Sequence, residues 1–361
     1  MKTFEGRELP LHAAIQSLAV ANPPLYIHQK EAFEFFDAHL QLAGEERELY
    51  RRLLLEGPIR GRHIGVDHYE ESCETSPGKL TKRFQKFATL IAAEAARKAL
   101  DQAGSKADAI GAVVVNTCTG YLCPGLSSYL VEELGLLPSV KVFDLMGMGC
   151  GAAVPNLECA AGLLAQGGVD KVLSISVEVC SATAYMGPDP DLIVSNCIFA
   201  DGASATVLGP TRSGKCLGKI EDFESGIFPE FREHLRYRTE RDGRLRNVLS
   251  RRVPVIGSRV ISTVAKRLLS RHHLNVEDIK WWAVHAGGTS VLENVEKKLS
   301  LPPSALQYSY EIFQHYGNMS SPTLMFALEK ILRCGKPQAG DKGLLLGFGA
   351  GFSGFGALIS F

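Results

Sequence analysis

The sequence predicts an α/β fold assembled from two like halves. Short apolar runs of strand character alternate along the chain with stretches of helical period, the pattern of strands joined through helices. The same strand–turn–helix grammar occurs on both sides of a charged, irregular stretch at 211–250. The 361 residues, 45% of them hydrophobic, can bury a core large enough for two domains or one duplicated one. The spacing divides the chain near 210–220, into an N-terminal half 1–215 and a C-terminal half 216–361.

The elements follow in order. Residues 81–103, TKRFQKFATLIAAEAARKALDQA, carry apolar side chains at helical spacing and predict a long amphipathic helix. GAVVVNTCTG at 111–120 is a valine run ending in a turn, hence a buried strand. Residues 126–135 read as helix, VKVFDL at 140–145 as strand, and AAVPNLECAAGLLAQGG at 152–168 as helix. KVLSISVEV and ASATVLG are two further strands. In the second half a helix spans 255–271, WWAVH is a strand, TSVLENVEKKL and SSPTLMFALEKILRCG are helices, and GLLLGFG and FGALISF close the chain.

Totals exclude several classes. Basic and acidic residues balance at 39 each, so nothing points to nucleic acid or an anionic membrane. Nine cysteines, an odd number, lie mostly within apolar runs, which predicts reduced thiols in a cytoplasmic protein. The start, MKTFEGRELP, lacks an apolar stretch of signal-peptide length. Residues 343–361 carry no charge, but their glycine content favours two buried strands joined by a glycine turn over a membrane span. GPTRSGKC at 209–216 nearly fits a phosphate-binding loop but ends in Cys and is followed by LGKIEDF, a strand rather than a helix. GAGFSG at 349–354 fits a dinucleotide fingerprint by spacing alone, with no helix or acidic residue after it. RHHL at 271–274, and Cys118 with Cys123, lack the further ligands a metal needs.

Functional groups in such folds gather beyond the carboxyl ends of strands. Three turns qualify. Cys150 in DLMGMGCGAA sits before a predicted helix, whose unpaired N–H groups favour a thiolate and could hold an oxyanion. Glycines at 147, 149 and 151 permit a tight turn and close approach of substrate. The plainer reading is a small packing cysteine. His285 ends a strand in AVHAGG, as a base, a donor or a structural residue. Asn318 in YGNMSSP is a carbonyl donor or a helix cap. A neutral histidine and an amide form a donor pair for an enolate, and no carboxylate accompanies them, which suits loss of carbon dioxide.

At these turns the sequence resembles the thiolase superfamily and, within it, the type III polyketide synthases. WWAVHAGGTSVLENVEKKL resembles that family's histidine segment, YGNMSSPTLMFALEKI its asparagine segment, LGFGAGFSGFGALISF its C-terminal loop and strand, and NCIFADGASATVLG its FGDGA strand. The resemblance is strong over 110–361 and weak over the first 80 residues. It implies the thiolase fold, five layers αβαβα, and a homodimer. It also implies an acyl group carried on Cys150, with His285 and Asn318 polarising malonyl-CoA during decarboxylation. Coenzyme A thioesters are then substrates, and no cofactor is expected. Phe199 falls on the gatekeeping phenylalanine, where the alternative is a core aromatic. Thr119, Cys123, Asn247, Leu249 and Gly349 fall on substrate-binding positions, with Cys123 reaching across the dimer interface. Arg60, Arg62 and Gly287 fall near the coenzyme A tunnel, though a solvated basic loop also accounts for the two arginines.

The departures shape the expected product. Asn247 stands in the slot of a second gatekeeping phenylalanine, the loop after 187–188 is short, and Cys123 replaces a methionine. Smaller side chains predict a wider cavity, an aliphatic acyl starter, and an alkylpyrone or alkylresorcinol product. Rival readings are a ketoacyl-ACP synthase III relative making one condensation on an acyl-carrier protein, a papain-like cysteine hydrolase, and a catalytically silent scaffold that binds a ketosynthase.

Overall fold

The computed structural model describes residues 13–211 and 216–361. The MKTFEGRELP start and residues 212–215 of the GPTRSGKC stretch lie outside them. The first series of elements is β1 (Ala13–Ala21), β2 (Tyr26–His28), α1 (Gln29–Leu40), α2 (Gly44–Leu55), β3 (Gly61–His63), α3 (Pro77–Ala103), β4 (Ala112–Thr117), α4 (Leu126–Leu134), β5 (Lys141–Met146), α5 (Ala153–Gln166), β6 (Val172–Val179), α6 (Pro190–Ile198) and β7 (Asp201–Pro210). The second is β8 (Gly218–Ile227), β9 (Leu235–Thr239), β10 (Leu245–Leu249), α7 (Val253–Arg271), β11 (Trp281–Val284), α8 (Thr289–Leu299), α9 (Gln307–Tyr316), α10 (Pro322–Lys330), β12 (Lys342–Gly349) and β13 (Ser353–Ser360).

Nine strands share one hydrogen-bonded order, β11-β12-β13-β8-β1-β7-β6-β4-β5. Two series of the same design meet where Ala14 and Ile15 of β1 pair with Lys219 and Gly218 of β8. On one side β1 is antiparallel to β7, β7 to β6, and β6 runs parallel to β4. On the other β8 is antiparallel to β13, β13 to β12, and β12 runs parallel to β11.

Strand side chains point alternately to opposite faces, and this sorts the core into layers. Val113 and Val115 of β4 pack under α3. Ala112 and Val114 face the middle, where Leu157 and Ala161 of α5 meet Leu324 and Phe326 of α10. Beyond the second series, α7 and α8 cover Trp282, Val284, Leu344 and Leu346. The result is five layers, α–β–α–β–α. The alanines Ala88, Ala92, Ala95, Ala96 and Ala99 let α3 lie close on its sheet. A smaller cluster of Phe33, Phe36, Tyr50 and Leu54 seats α1 and α2 over Ile193 and Cys197 of α6.

Two segments differ from the sequence reading. The α3 helix starts four residues before 81, because Pro77 is suited to a first helical turn. The 211–250 stretch is not irregular throughout: it holds β8, a central strand, and the two-stranded ribbon of β9 and β10. The charges that mask β8 are paired with α7, Asp222 with Arg271 at 2.7 Å and Glu224 with Arg267 at 3.6 Å. LGKIEDF is strand, as expected, and 343–361 forms the antiparallel pair β12–β13. Among the described residues no helix is long and apolar enough to cross a membrane.

A buried amide fastens the middle layer to the first sheet. Asn156 of α5 donates to Asn116 Oδ1 and to the Ile175 carbonyl, each at 2.8 Å, and accepts from Ser174 at 2.7 Å. Replacing Asn156 with Leu strands these groups in a dry interior and should cost about 2–3 kcal/mol. A lowered urea midpoint with an unchanged slope is the expected result; an unchanged midpoint would show that the network adds nothing.

Candidate active site

The Cys150 turn is shaped by glycine. Gly147 and Gly149 adopt left-handed backbone, at φ 79° and 67°. A side chain at Gly149 would collide with the Ala350 backbone, and one at Gly151 with the Phe348 carbonyl carbon. The turn is thereby pressed against the carboxyl end of β12, and Cys150 is left 9% exposed. Gly349 meets the same constraint from the other side, its Cα turned against Met148 and Gly151.

Asn318 sits on a turn locked to the segment after α6. Its N–H donates to the Ile198 carbonyl at 2.8 Å, and its carbonyl accepts from Ala200 at 2.9 Å, with Phe199 paired alongside. Its side-chain oxygen accepts the Ser320 N–H at 2.8 Å. It is not the cap of α10, because that position belongs to Ser321. Ser320 Oγ in turn lies 3.2 Å from Cys150 Sγ, so the two turns meet through one hydroxyl.

His285 follows β11 and is held by its backbone N–H on the Leu346 carbonyl, at 2.8 Å. Its ring stands edge-on to Phe348, 5.4 Å between centres. The side chain is wholly buried, and neither ring nitrogen has a hydrogen-bond partner among the described residues. Burial pushes its pKa down to about 3.

The thiol behaves differently from the sequence reading. Burial pushes Cys150 up to about 12; the Ser320 hydroxyl pulls it back in part, and the Glu178 charge adds to the rise. Desolvation outweighs the helix N-terminus, so the resting pair is a neutral thiol and a neutral imidazole. No hydrogen bond joins them among the described residues.

A carboxylate does accompany these groups, contrary to the sequence reading. Glu178, at the end of β6, is wholly buried. It accepts from the Cys118 N–H, the Thr119 hydroxyl and the Ser321 hydroxyl at 2.9 Å each. Ser320 Oγ and Cys118 Sγ lie 3.2 and 3.3 Å from Oε1, the oxygen that also accepts from Ser321. Burial raises its pKa, while these donors act in the opposite sense. An isolated acid in the apolar run SISVEV is the sequence signal for it.

Three cavities surround the site. A chamber of about 360 Å³ is lined by Cys118, Cys150, Phe199, Tyr237, Asn247 and Ser320, among others. A small annex of about 70 Å³ shares Phe199, Tyr237 and Asn247 with it and adds Cys180 and Thr183. The Tyr237 hydroxyl lies 3.2 Å from Thr183 Oγ1. An outer cavity of about 500 Å³ is bounded by Arg52, Leu249, Arg251, Gly287 and the start of α8, and it reaches Ile198, next to Phe199.

The remaining sequence candidates divide. Phe199 and Asn247 line the chamber, and Leu249 and Gly287 line the outer cavity. Thr119 does not face the chamber: its hydroxyl is bound to Glu178 and the Val179 N–H, and Cys118 takes the lining place. Cys123 is exposed and lines none of these cavities in its own chain. Gly349 serves as a spacer for the Cys150 turn. Arg62 is not a phosphate contact: it is buried, with its guanidinium on the carbonyls of Asn196 and Phe199 and on Gln29. Arg60 is exposed but absent from the outer cavity, whose cations are Arg52 and Arg251.

A thiol held near 12 fixes a pH signature. Its thiolate fraction grows about tenfold per pH unit below that value. Alkylation of Cys150 by iodoacetamide in the ligand-free protein should therefore climb from about pH 7 to 10 without levelling. Removing the Ser320 hydroxyl, in Ser320→Ala, should slow it at every pH. A plateau below about pH 8 would instead report a thiolate–imidazolium pair with His285.

Comparisons with known proteins bear on the family and the fold. A family model described as FAE1/Type III polyketide synthase-like protein matches residues 32–221, and one for the C-terminal part of 3-oxoacyl-[acyl-carrier-protein] synthase III matches 269–361. The 3,5-dihydroxyphenylacetyl-CoA synthase of Streptomyces toyocaensis is 30% identical, over 96% of this chain and 90% of that one. The alpha-pyrone synthesis polyketide synthase-like Pks18 of Mycobacterium tuberculosis is 28% identical over the same shares. Among solved structures, PKS-I of the brown alga Ectocarpus siliculosus superposes with a TM-score of 0.89 at 24% identity, covering 97% of this chain and 98% of that one. The 1,3,6,8-tetrahydroxynaphthalene synthase of Streptomyces coelicolor A3(2) gives 0.88 at 24% identity, over 96% and 99%. With a family model spanning more than half its length and relatives aligned almost end to end, this chain belongs to the type III polyketide synthases, condensing acyltransferases of thiolase fold.

Proposed function

We propose that the protein loads an acyl group from coenzyme A onto Cys150 and lengthens it by decarboxylative condensation with malonyl-CoA. The observation that carries this reading is His285, a buried neutral imidazole with both nitrogens unpaired. A neutral ring can donate one N–H to a thioester carbonyl, and the Asn318 amide can donate a second. As carbon dioxide leaves, negative charge gathers on that oxygen, where the two donors stabilise it. The enolate carbon then attacks the acyl carbon on Cys150, the carbon–sulfur bond breaks, and the chain is two carbons longer on coenzyme A. Burial raises the pKa of the nearby Glu178, which favours its neutral acid and lessens its opposition to this charge.

The outer cavity suits the coenzyme A moiety. Arg52 and Arg251 offer cations for its phosphates, together with the N–H and hydroxyl groups of Thr289 and Ser290 at the start of α8. The annex walls include Ile27, Phe36, Ile64 and Leu192, which supports an aliphatic starter and an alkylpyrone or alkylresorcinol product. Phe199 stands between the chamber and the outer cavity as its gate. These thioesters are substrates, and the chemistry calls for no resident cofactor. We read the chain as two halves dividing near 210–220.

We further propose a homodimer. β5 is the edge of the sheet, and Val142, Phe143, Met146 and the nearby Leu137 are exposed there. A long apolar edge is a template for pairing with a second copy. Nine free cysteines fit a reducing compartment such as the cytoplasm. A second reading, one condensation on an acyl-carrier protein, is favoured by the synthase III match over 269–361.

Mass spectrometry after incubation with an acyl-CoA should show an acyl adduct that Cys150→Ala abolishes; product formed at full rate by that variant would eliminate the mechanism. Asn318→Ala should slow carbon dioxide release from malonyl-CoA by about 10²–10³-fold, the effect of one oxyanion donor. An unchanged rate would remove Asn318 from this role. Asn247→Phe should shorten the preferred starter, whereas Tyr237→Ala should open the annex and lengthen it. A product survey with starters from acetyl to palmitoyl that shows no change would separate these walls from specificity.

A further inference from the structure

We propose that the annex receives a carboxylate at the far end of the starter chain, so that the preferred starter is the coenzyme A monothioester of an aliphatic dicarboxylic acid. This rests on Cys150 as the acyl carrier and adds what the other end of the acyl chain meets.

The annex wall holds one charge. Arg62 of β3 is the charged side chain among the lining residues, and it is 6% exposed. Its Cγ and Cδ lie against Gly317. Its Nε donates to Gln29 at 2.9 Å, and Nη1 donates to the carbonyls of Asn196 and Phe199 at 2.8 and 2.5 Å. These bonds fasten β3 to the end of α6 and occupy two of the three guanidinium nitrogens. Nη2, with two N–H groups, has no partner among the described residues.

No carboxylate pairs with Arg62 among the described residues. Asp201, whose charge acts on it, accepts instead from the Gly65 N–H at 2.5 Å and the Ser181 N–H at 2.9 Å. The same Asp201 acts on a second buried arginine, Arg83, which rests on the carbonyls of Ser181 and Glu71. Two interior guanidinium groups thus share Asp201, and a buried charge without its own partner is costly. Tyr69 supplies a second open donor. It lines the annex, its ionisation and that of Arg62 influence each other, and its hydroxyl has no hydrogen-bond partner among the described residues.

A carboxylate takes both donors, and it brings the charge that Arg62 lacks. A methyl-ended chain would displace water from both and return no acceptor, and a site built around buried donors rejects such a chain. The annex shares Phe199, Tyr237 and Asn247 with the chamber of Cys150, so the two ends of one acyl chain can occupy the two spaces. Its 70 Å³, against about 10–15 Å³ for one water, holds a carboxylate and the methylene groups beside it. A free anion such as phosphate would meet the same donors but leave Ile27, Phe36 and Leu192 uncovered. In loading, Cys150 Sγ attacks the thioester carbon and the carbon–sulfur bond to coenzyme A breaks. Coenzyme A leaves as its thiol with the Cys150 proton, and the distant carboxylate is unchanged.

The test follows acyl loading on Cys150 by intact-protein mass spectrometry. Adipyl-, suberyl- and sebacyl-CoA are each set against the methyl-ended chain of equal length, hexanoyl-, octanoyl- and decanoyl-CoA. Wild type should load the carboxylate-ended chain at least about tenfold faster than its match at one length or more. Tyr69→Phe and Arg62→Met should each cut that ratio at least about fivefold. The ratio is read within one protein, so a general loss of activity leaves it unmoved. Arg62→Met also removes the bonds to Asn196 and Phe199; if it does not fold, Tyr69→Phe decides. An even or methyl-favouring ratio in wild type at every length overturns the proposal and leaves Cys150 as the acyl carrier. So does a ratio that Tyr69→Phe leaves unchanged. Even ratios, with octanoyl loading slowed by millimolar phosphate in wild type and not in Tyr69→Phe, would give the annex to a free anion and refute the proposal. Loading from none of the six donors would overturn the condensing-enzyme reading as well.

Discussion

The site is organised by one buried carboxylate. Glu178 closes β6 and gathers donors from two other elements, the turn after β4 through Cys118 and Thr119, and the segment before α10 through Ser320 and Ser321. A carboxylate in a dry interior survives only if its oxygens are satisfied, so these donors have little freedom to move. Ser320 is the member that matters most, because it also touches Cys150 and donates its N–H to Asn318. One buried acid thereby sets the relation between the Cys150 turn and the Asn318 turn. Asn116 extends the same order inward, linking Ser321 to Asn156 of α5.

Burial then decides the resting chemistry. Their own burial holds the imidazole neutral and keeps the proton on the thiol. A neutral imidazole keeps one N–H to donate without bringing a charge of its own. The pairing of Phe199 with Asn318 through their backbones gives these two residues one support.

The sequence marks three candidate turns and hides their surroundings, for physical reasons. Cys150, His285 and Asn318 each follow or precede an apolar run at a polar, glycine-bearing turn, a local pattern that survives without knowledge of the fold. The alternation of strands and helices is likewise readable, because the valine run of β4 and the helical period of α3 are local, whereas the five layers follow only from the resemblance. Glu178 shows in the sequence only as an isolated acid in an apolar run; its role depends on donors from the turn after β4 and the segment before α10, which no local pattern gathers. Arg62 misleads because a guanidinium in a basic loop reads as solvated, while in the fold its donors meet the carbonyls of Asn196 and Phe199. Arg52 and Arg251 are far apart in the chain and become neighbours of one cavity only when α2 and the start of α7 flank it. The ribbon of β9 and β10 escapes notice because its strands, LRYRT and LRNVL, are short, arginine-bearing and largely unburied.

Part of the chamber's wall stands outside the main sheet. Leu235, Tyr237, Leu245 and Asn247 come from the β9–β10 ribbon, which forms no ladder with the nine-stranded sheet. Side chains on that ribbon can change without disturbing a single hydrogen bond of the sheet, so the outline of the chamber is free to vary while the layers beneath it stay as they are.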